Sequence, residues 1–487
     1  MWKRAILVML ILVLALILVV VIRTARLQKA AGTVPAVAAV TLDEAGAVQR
    51  FVGAIQIPTE SLYGQPPDAE QIGKFRDYLQ TSFPHVAAQL TREVLKDGAV
   101  IYTWKGRDAT ASPVVLMGHM DVVPVPPEAL PQWQHPPYSG DLADGYIWGR
   151  GTIDDKIHVL SLLEAAETLL AKGFAPARTI LFCFGDDEEN GGRYGAQEIV
   201  AELKARGVHP DFVVDEGGAV VSGVVPGISQ PIAIIGTAEK GYVDLALSTA
   251  GAGGHSSEPP AHTAIGELAA ALVKLEAHPF PASLPVVVRE QYAAIAPYLP
   301  FSQRAALSNL WLFEPLVVQQ GLKDPRTGGN FRTTTAETMV SGGFKDNALP
   351  PSARAIVNFR ILPGETTESV AKRVREIVDD PGVTVAIDNP QAARDPSPVS
   401  PLDSAGYETL ATTIMELFPT AVVSPYLVNA ATDAGFYAVL TPNVYRFLAL
   451  DADPTTLTMI HGLNERVAPE KYLKTVRFTV QLIENIR

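Results

Sequence analysis

The chain is poor in cysteine. Cys183 is its only one among 487 residues. A single cysteine excludes an intramolecular disulfide framework and a cysteine-rich metal site. Positive charge is also in deficit, with 39 Lys and Arg against 52 Asp and Glu and a net charge of −13. A nucleic-acid partner calls for a basic surface, so none is expected. No internal repeat and no low-complexity block is visible. After residue 22 no apolar run approaches the length of a membrane span. What remains is 47% hydrophobic and 19% charged, enough to bury a core, and long enough for two or three domains.

One long apolar run does occur. Residues 5 to 22, AILVMLILVLALILVVVI, carry no charge. As a helix they would rise about 27 Å, close to the ~30 Å hydrocarbon core. A signal peptide usually has a shorter apolar region, ~7–15 residues, ending at a small-residue site. The run here ends in IRTARLQK, which favours a retained transmembrane anchor at 1–23 followed by a linker at 24–42. Lys3 and Arg4 before the run nearly balance Arg23, Arg26 and Lys29 after it, so charge sets no clear orientation. A single N-terminal anchor with a tether commonly leaves the rest of the chain outside the cytoplasm, and that placement is expected.

From residue 43, helical and strand patterns alternate. DAEQIGKFRDYLQTSF is amphipathic, VVLMGHM and TILFCFG are short apolar strands, and KIHVLSLLEAAETLLAKGF is a well-buried helix. This alternation predicts an α/β domain with a sheet covered by helices, in two parts, 43–238 and 393–487. Between them, 239–392 reads differently. Two helices and about four antiparallel strands predict an inserted α+β domain, with a polar, proline-broken stretch from about 280 to 335.

Polar residues collect at the predicted strand ends, where open α/β sheets bind ligands. GHMD carries His119 and Asp121, two residues apart and so on one face if the strand continues. WGRGTIDDK carries Asp154 and Asp155 at a helix start, where N-capping is the plain alternative. GDDEEN and VVDEGG add Glu188, Glu189, Asp215 and Glu216. Each stretch alone reads as structural: a core histidine with its carboxylate, a cap, a solvated acidic loop. Together they bring one imidazole and many carboxylates to one edge. That donor set suits zinc, and also manganese or cobalt. More carboxylates than one ion needs suggests two ions sharing a bridging carboxylate.

GHMDVVP, GRGTIDDK, DDEEN, VDEGG and the histidine of MIHGLNERV resemble the M20 family of zinc-dependent amidohydrolases. AEKGYVDLALSTAGAGGHSSEPP is similar to the carboxypeptidase S and N-fatty-acyl-amino-acid synthase/hydrolase branch. The resemblance implies a mixed-sheet zinc-exopeptidase fold with a lid or dimerisation domain. It implies a di-zinc hydrolase that cleaves amide bonds of peptides or N-acyl amino acids, reversible to condensation. His119, Asp154, Glu189, either Asp215 or Glu216, and His461 match metal ligands. Glu188 matches the general base, and Asp121 the carboxylate that orients His119. His255 matches a histidine that stabilises the oxyanion, often across a homodimer interface. Asn347 and Arg360 match residues that touch substrate. One position departs: Gly435, in NAATDAGFY, stands where members often carry an arginine for the substrate carboxylate. That departure motivates a rival reading, a binding or scaffold protein that kept the fold but not the activity.

Overall fold

A computed structural model describes residues 2–27, 37, 40–96 and 98–487. The expected linker at 24–42 therefore lies mostly outside the described residues. The short apolar runs form one ten-stranded sheet. Its order is Thr91–Val94, Val100–Trp104, Ile180–Gly185, Val114–His119, Phe212–Asp215, Val444–Arg446, Ile232–Glu239, Ala219–Val221 and Asp451–Ala452, with Val422–Val428 also paired to Ile232–Glu239. Ile180–Gly185, Val114–His119, Phe212–Asp215 and Val444–Arg446 run parallel, and the pairs on either side include antiparallel ones. The sheet is mixed, as expected.

Every residue of Val114–His119 and of Ile180–Gly185 is buried. A strand covered on both faces reads as a continuous apolar run, which is why alternation is missing here. Helices Glu44–Ile55, Lys156–Ala171 and Pro469–Asn485 contribute Phe51, Leu163 and Tyr472 to the core that also holds Phe182. Ala196–Ala205 adds Ile199 and Leu203 to a second cluster with Val115 and Cys183. Because the central strands are parallel, their carboxyl ends share one edge. His119, Asp215 and Arg446 end three of them, and Asp186 follows the fourth.

A separate antiparallel sheet runs in the order Thr334–Gly342, Ser352–Ile361, Gly241–Ala250, Val383–Ile387. Helices Ala264–Ala277 and Thr367–Val378 pack on it around Leu247, Leu268, Val357 and Val374. Both helices are capped as their sequences suggest, by Thr263 and by a capping box at Thr366 and Ser369. Only Lys240 separates this sheet from Ile232–Glu239 of the large one.

The stretch from 280 to 335 differs from expectation. It contains helices Val286–Ile295, Phe301–Ser308 and Leu310–Gly321. Pro285 and Pro300 stand just before two of these helices. There a missing N–H costs nothing, so these prolines start helices rather than break them. At the N-terminus, helix Trp2–Arg26 has a mean hydropathy of 3.7 with none of its apolar window buried. It is long enough to cross a bilayer, and a signal sequence can have the same length and composition.

Candidate active site

His119 is the last residue of its strand and is buried. Its Nδ1 lies 3.0 Å from the Asp121 backbone oxygen and 3.3 Å from Asp121 Oδ1. The strand stops before Asp121, so the pair does not arise from alternation along one strand as the spacing suggested. Asp121 does more than face the ring. Its Oδ1 accepts from the Glu188 N–H, and its Oδ2 from the Glu189 N–H and the Ser61 hydroxyl. One carboxylate thus ties the imidazole to the acidic turn that follows Gly185.

Asp154 stands between two histidines. His119 Nε2 is 3.0 Å from its Oδ1, and His461 Nε2 is 2.9 Å from its Oδ2. His461 Nε2 is also 3.3 Å from Glu189 Oε2. His119, Asp154 and Glu189 each offer a donor atom within 4.8 Å of the others. Asp155 precedes the helix but makes no side-chain cap. Its Oδ2 accepts from the His119 N–H at 3.1 Å. Asp215 Oδ2 accepts from the Ala434 N–H at 2.9 Å. Glu216 is influenced by Asp154, Asp215, Asp155 and Glu188, so its carboxylate belongs to the same group.

Electrostatics follow from this crowding. Burial raises the Glu188 carboxyl well above its ordinary range, and Glu189, Asp154 and Asp121 add to the rise. Burial and then its acidic neighbours do the same to Glu216. Asp215 is pushed up to about 6, chiefly by burial. Burial would also raise Asp154, yet hydrogen bonds from His119 and His461 hold it below the usual range. The same bonds, with Glu189, lift His461 to about 10. Glu189 Oε1 is buried with no hydrogen-bond partner among the described residues. So many acids around two imidazoles are unfavourable without a cation. The residues present therefore fit divalent metal.

Two buried charges that the motif reading passed over hold the site together. Arg150 Nη1 pairs with Glu465 Oε2 at 2.6 Å. Glu465 Oε1 accepts from the N–H groups of Gly151, Ile153 and Asp154 at 3.1, 2.7 and 3.2 Å. Arg150 Nη2 donates to the His461 and Gly462 carbonyls at 3.3 and 3.1 Å. One ion pair thus clamps both loops that present Asp154 and His461.

Residues 115–485 match the family model described as Peptidase family M20/M25/M40. The chain belongs to the M20 peptidase family. It is an M20 hydrolase, and its relatives share most of its length. The N-fatty-acyl-amino acid synthase/hydrolase PM20D1 of Homo sapiens is 40% identical over 442 residues, covering 89% of this chain and 86% of that protein. A probable carboxypeptidase S-like 2 of Dictyostelium discoideum is 38% identical over 452 residues, covering 91% and 86%. Among solved structures, the M20 family metallo-carboxypeptidase Sso-CP2 from Sulfolobus solfataricus superposes with a TM-score of 0.68 at 16% identity, covering 90% of this chain and 98% of that one. Human carnosine dipeptidase 1 gives 0.61 at 16%, covering 91% and 96%.

In this M20 chain His255, Asn347 and Arg360 make contacts within the inserted segment. His255 is exposed on a two-residue strand paired with Ala348–Leu349, its Nδ1 2.7 Å from Ser257 Oγ. Asn347 adjoins it, with Oδ1 accepting from Lys345 Nζ and its carbonyl from the Ser256 N–H. Arg360 is half-buried, its guanidinium 4.8 Å from the Tyr242 ring centroid. Gly435 sits against a buried pair: Glu239 Oε1 accepts from Arg446 Nη2.

Proposed function

We propose that this chain hydrolyses the amide bond of N-acyl amino acids, and of short peptides, through two divalent cations, most simply zinc. The observation that carries the reading is Asp154, whose two oxygens each face a different histidine at 3.0 and 2.9 Å. His119, Asp154 and either Asp215 or Glu216 would hold one ion; Asp154, Glu189 and His461 would hold the other. The Ala434 N–H bonds only Oδ2 of Asp215, which leaves Oδ1 available as a ligand. Bound metal would supply Lewis acidity toward the amide carbonyl and toward water.

The chain's own residues do the rest. Glu188, beside the ligands and fixed through its N–H by Asp121, takes a proton from water as water attacks the carbonyl carbon. It returns that proton to the amide nitrogen as the C–N bond breaks, leaving a carboxylate and an amine. In reverse the same groups join an acid to an amine. The smaller sheet and its helices act as a lid, bringing His255 to the oxyanion from this subunit or from a second one in a homodimer. Asn347 and Arg360 act on substrate from the same lid. The names of the relatives favour a long acyl chain, and the N-terminal helix then serves as a membrane anchor with the hydrolase outside the cytoplasm.

The scaffold reading is separated by one substitution. Glu188→Gln is expected to lower turnover about 10²–10⁴-fold while metal content, read by elemental mass spectrometry, stays as in wild type. Retained turnover would remove Glu188 from its role.

A further inference from the structure

Helices Phe301–Ser308 and Leu310–Gly321 stand at the foot of the N-terminal helix. Thr24, near the end of that helix, is fully buried. Its Oγ1 lies 3.3 Å from Ser308 Oγ and accepts from Asn309 Nδ2 at 3.3 Å. The apolar run ends at Ile22, two residues before this contact. At about 1.5 Å per residue, whatever holds Thr24 lies within a few ångströms of the end of the apolar run.

That region is itself apolar and uncovered. Phe301, Trp311, Leu312 and Leu316 are 51%, 54%, 37% and 56% exposed. Behind them an open groove of about 590 Å³ is lined mostly by apolar residues, among them Leu310, Trp311 and Val318, with Ser283, Glu314 and Gln319 also at its wall. The helix sequence LWLFEPLVVQQG carries one charge, Glu314, which pairs with Arg289 at 2.8 Å. Cations flank the patch: Arg23 and Arg26 are exposed on the last turn of the N-terminal helix, and the Arg304 guanidinium is 5.9 Å from the Phe301 ring centroid. Exposed tryptophan and phenylalanine flanked by arginine is the composition of a membrane interface.

We infer that helices Phe301–Ser308 and Leu310–Gly321 rest on the lipid bilayer that the N-terminal helix enters, with Trp311 and Leu316 at the headgroup–acyl boundary. The inference rests on the anchor reading of that helix and is independent of the chemistry at Glu188. The bilayer is favoured over a second copy of the chain because the uncovered patch continues directly from the exposed apolar helix. An acyl substrate dissolved in the membrane would meet the protein on this face.

The test uses the full chain in vesicles of phosphatidylcholine with phosphatidylglycerol. Nitroxide labels are placed singly by Leu316→Cys, Ile11→Cys and Val94→Cys; the native Cys183 is buried. Accessibility to oxygen is compared with accessibility to a water-soluble nickel chelate. The Leu316 label is expected to show an oxygen preference several-fold above that of the Val94 label and below that of the Ile11 label. A Leu316 label as aqueous as Val94, with Ile11 in hydrocarbon, would overturn the inference and leave the anchor standing. An aqueous Ile11 label would overturn both. Dipolar broadening between Leu316 labels on two copies would overturn it in favour of a dimer face. None of these readouts depends on turnover.

Discussion

A Cβ added at Gly435 would lie 2.9 Å from Glu239 Oε1. That carboxylate has little room to yield, since Arg446 Nη2 holds the same oxygen and the Thr432 N–H bonds Oε2 at 2.5 Å. The glycine is therefore required by packing, and an arginine could not project from it without moving a buried ion pair. Gly435→Ala should lower stability by about 1–3 kcal/mol, read by denaturant unfolding. An unchanged midpoint would show that the pair shifts freely. Single residues were legible where chemistry and sequence neighbours coincide. His119, Asp154, Glu189 and His461, picked out by motif, do lie together. Glu465 was not legible, because its partners Arg150 and Asp154 are more than 300 residues away and only the fold joins them.

At the scale of elements, the loops 149–154 and 461–465 act as one unit through Glu465. Removing its side chain would leave the Arg150 guanidinium buried and unpaired and three N–H groups without their acceptor. Glu465→Ala should cost about 3–5 kcal/mol and loosen metal retention against a chelator. Glu465→Gln, which keeps one acceptor oxygen, should cost less. Wild-type stability and retention in Glu465→Ala would refute the clamp. Elements with strong patterning were legible: KIHVLSLLEAAETLLAKGF, read as a well-buried helix, forms the largely buried Lys156–Ala171, and VVLMGHM and TILFCFG form the buried strands Val114–His119 and Ile180–Gly185. The helices between 280 and 335 were not. Their prolines look like breaks in sequence, yet Pro285 and Pro300 stand at helix starts and Pro315 lies inside Leu310–Gly321.

At the scale of the molecule, two sheets with separate cores divide the work. The large sheet gathers the ligand candidates and Glu188, the proposed base, on one edge. The inserted segment carries Arg360 on the smaller sheet and His255 and Asn347 at a two-stranded pairing beside it, and the proposal has them reach substrate by lid movement or from a second copy. The most direct measurement uses full-length protein in detergent, loaded with zinc and offered a panel of N-acyl amino acids and dipeptides, with released amine read by mass spectrometry. The account predicts amine release, strongest for long acyl chains, abolished by a chelator and restored by zinc. No release from any member of the panel with metal bound would contradict it.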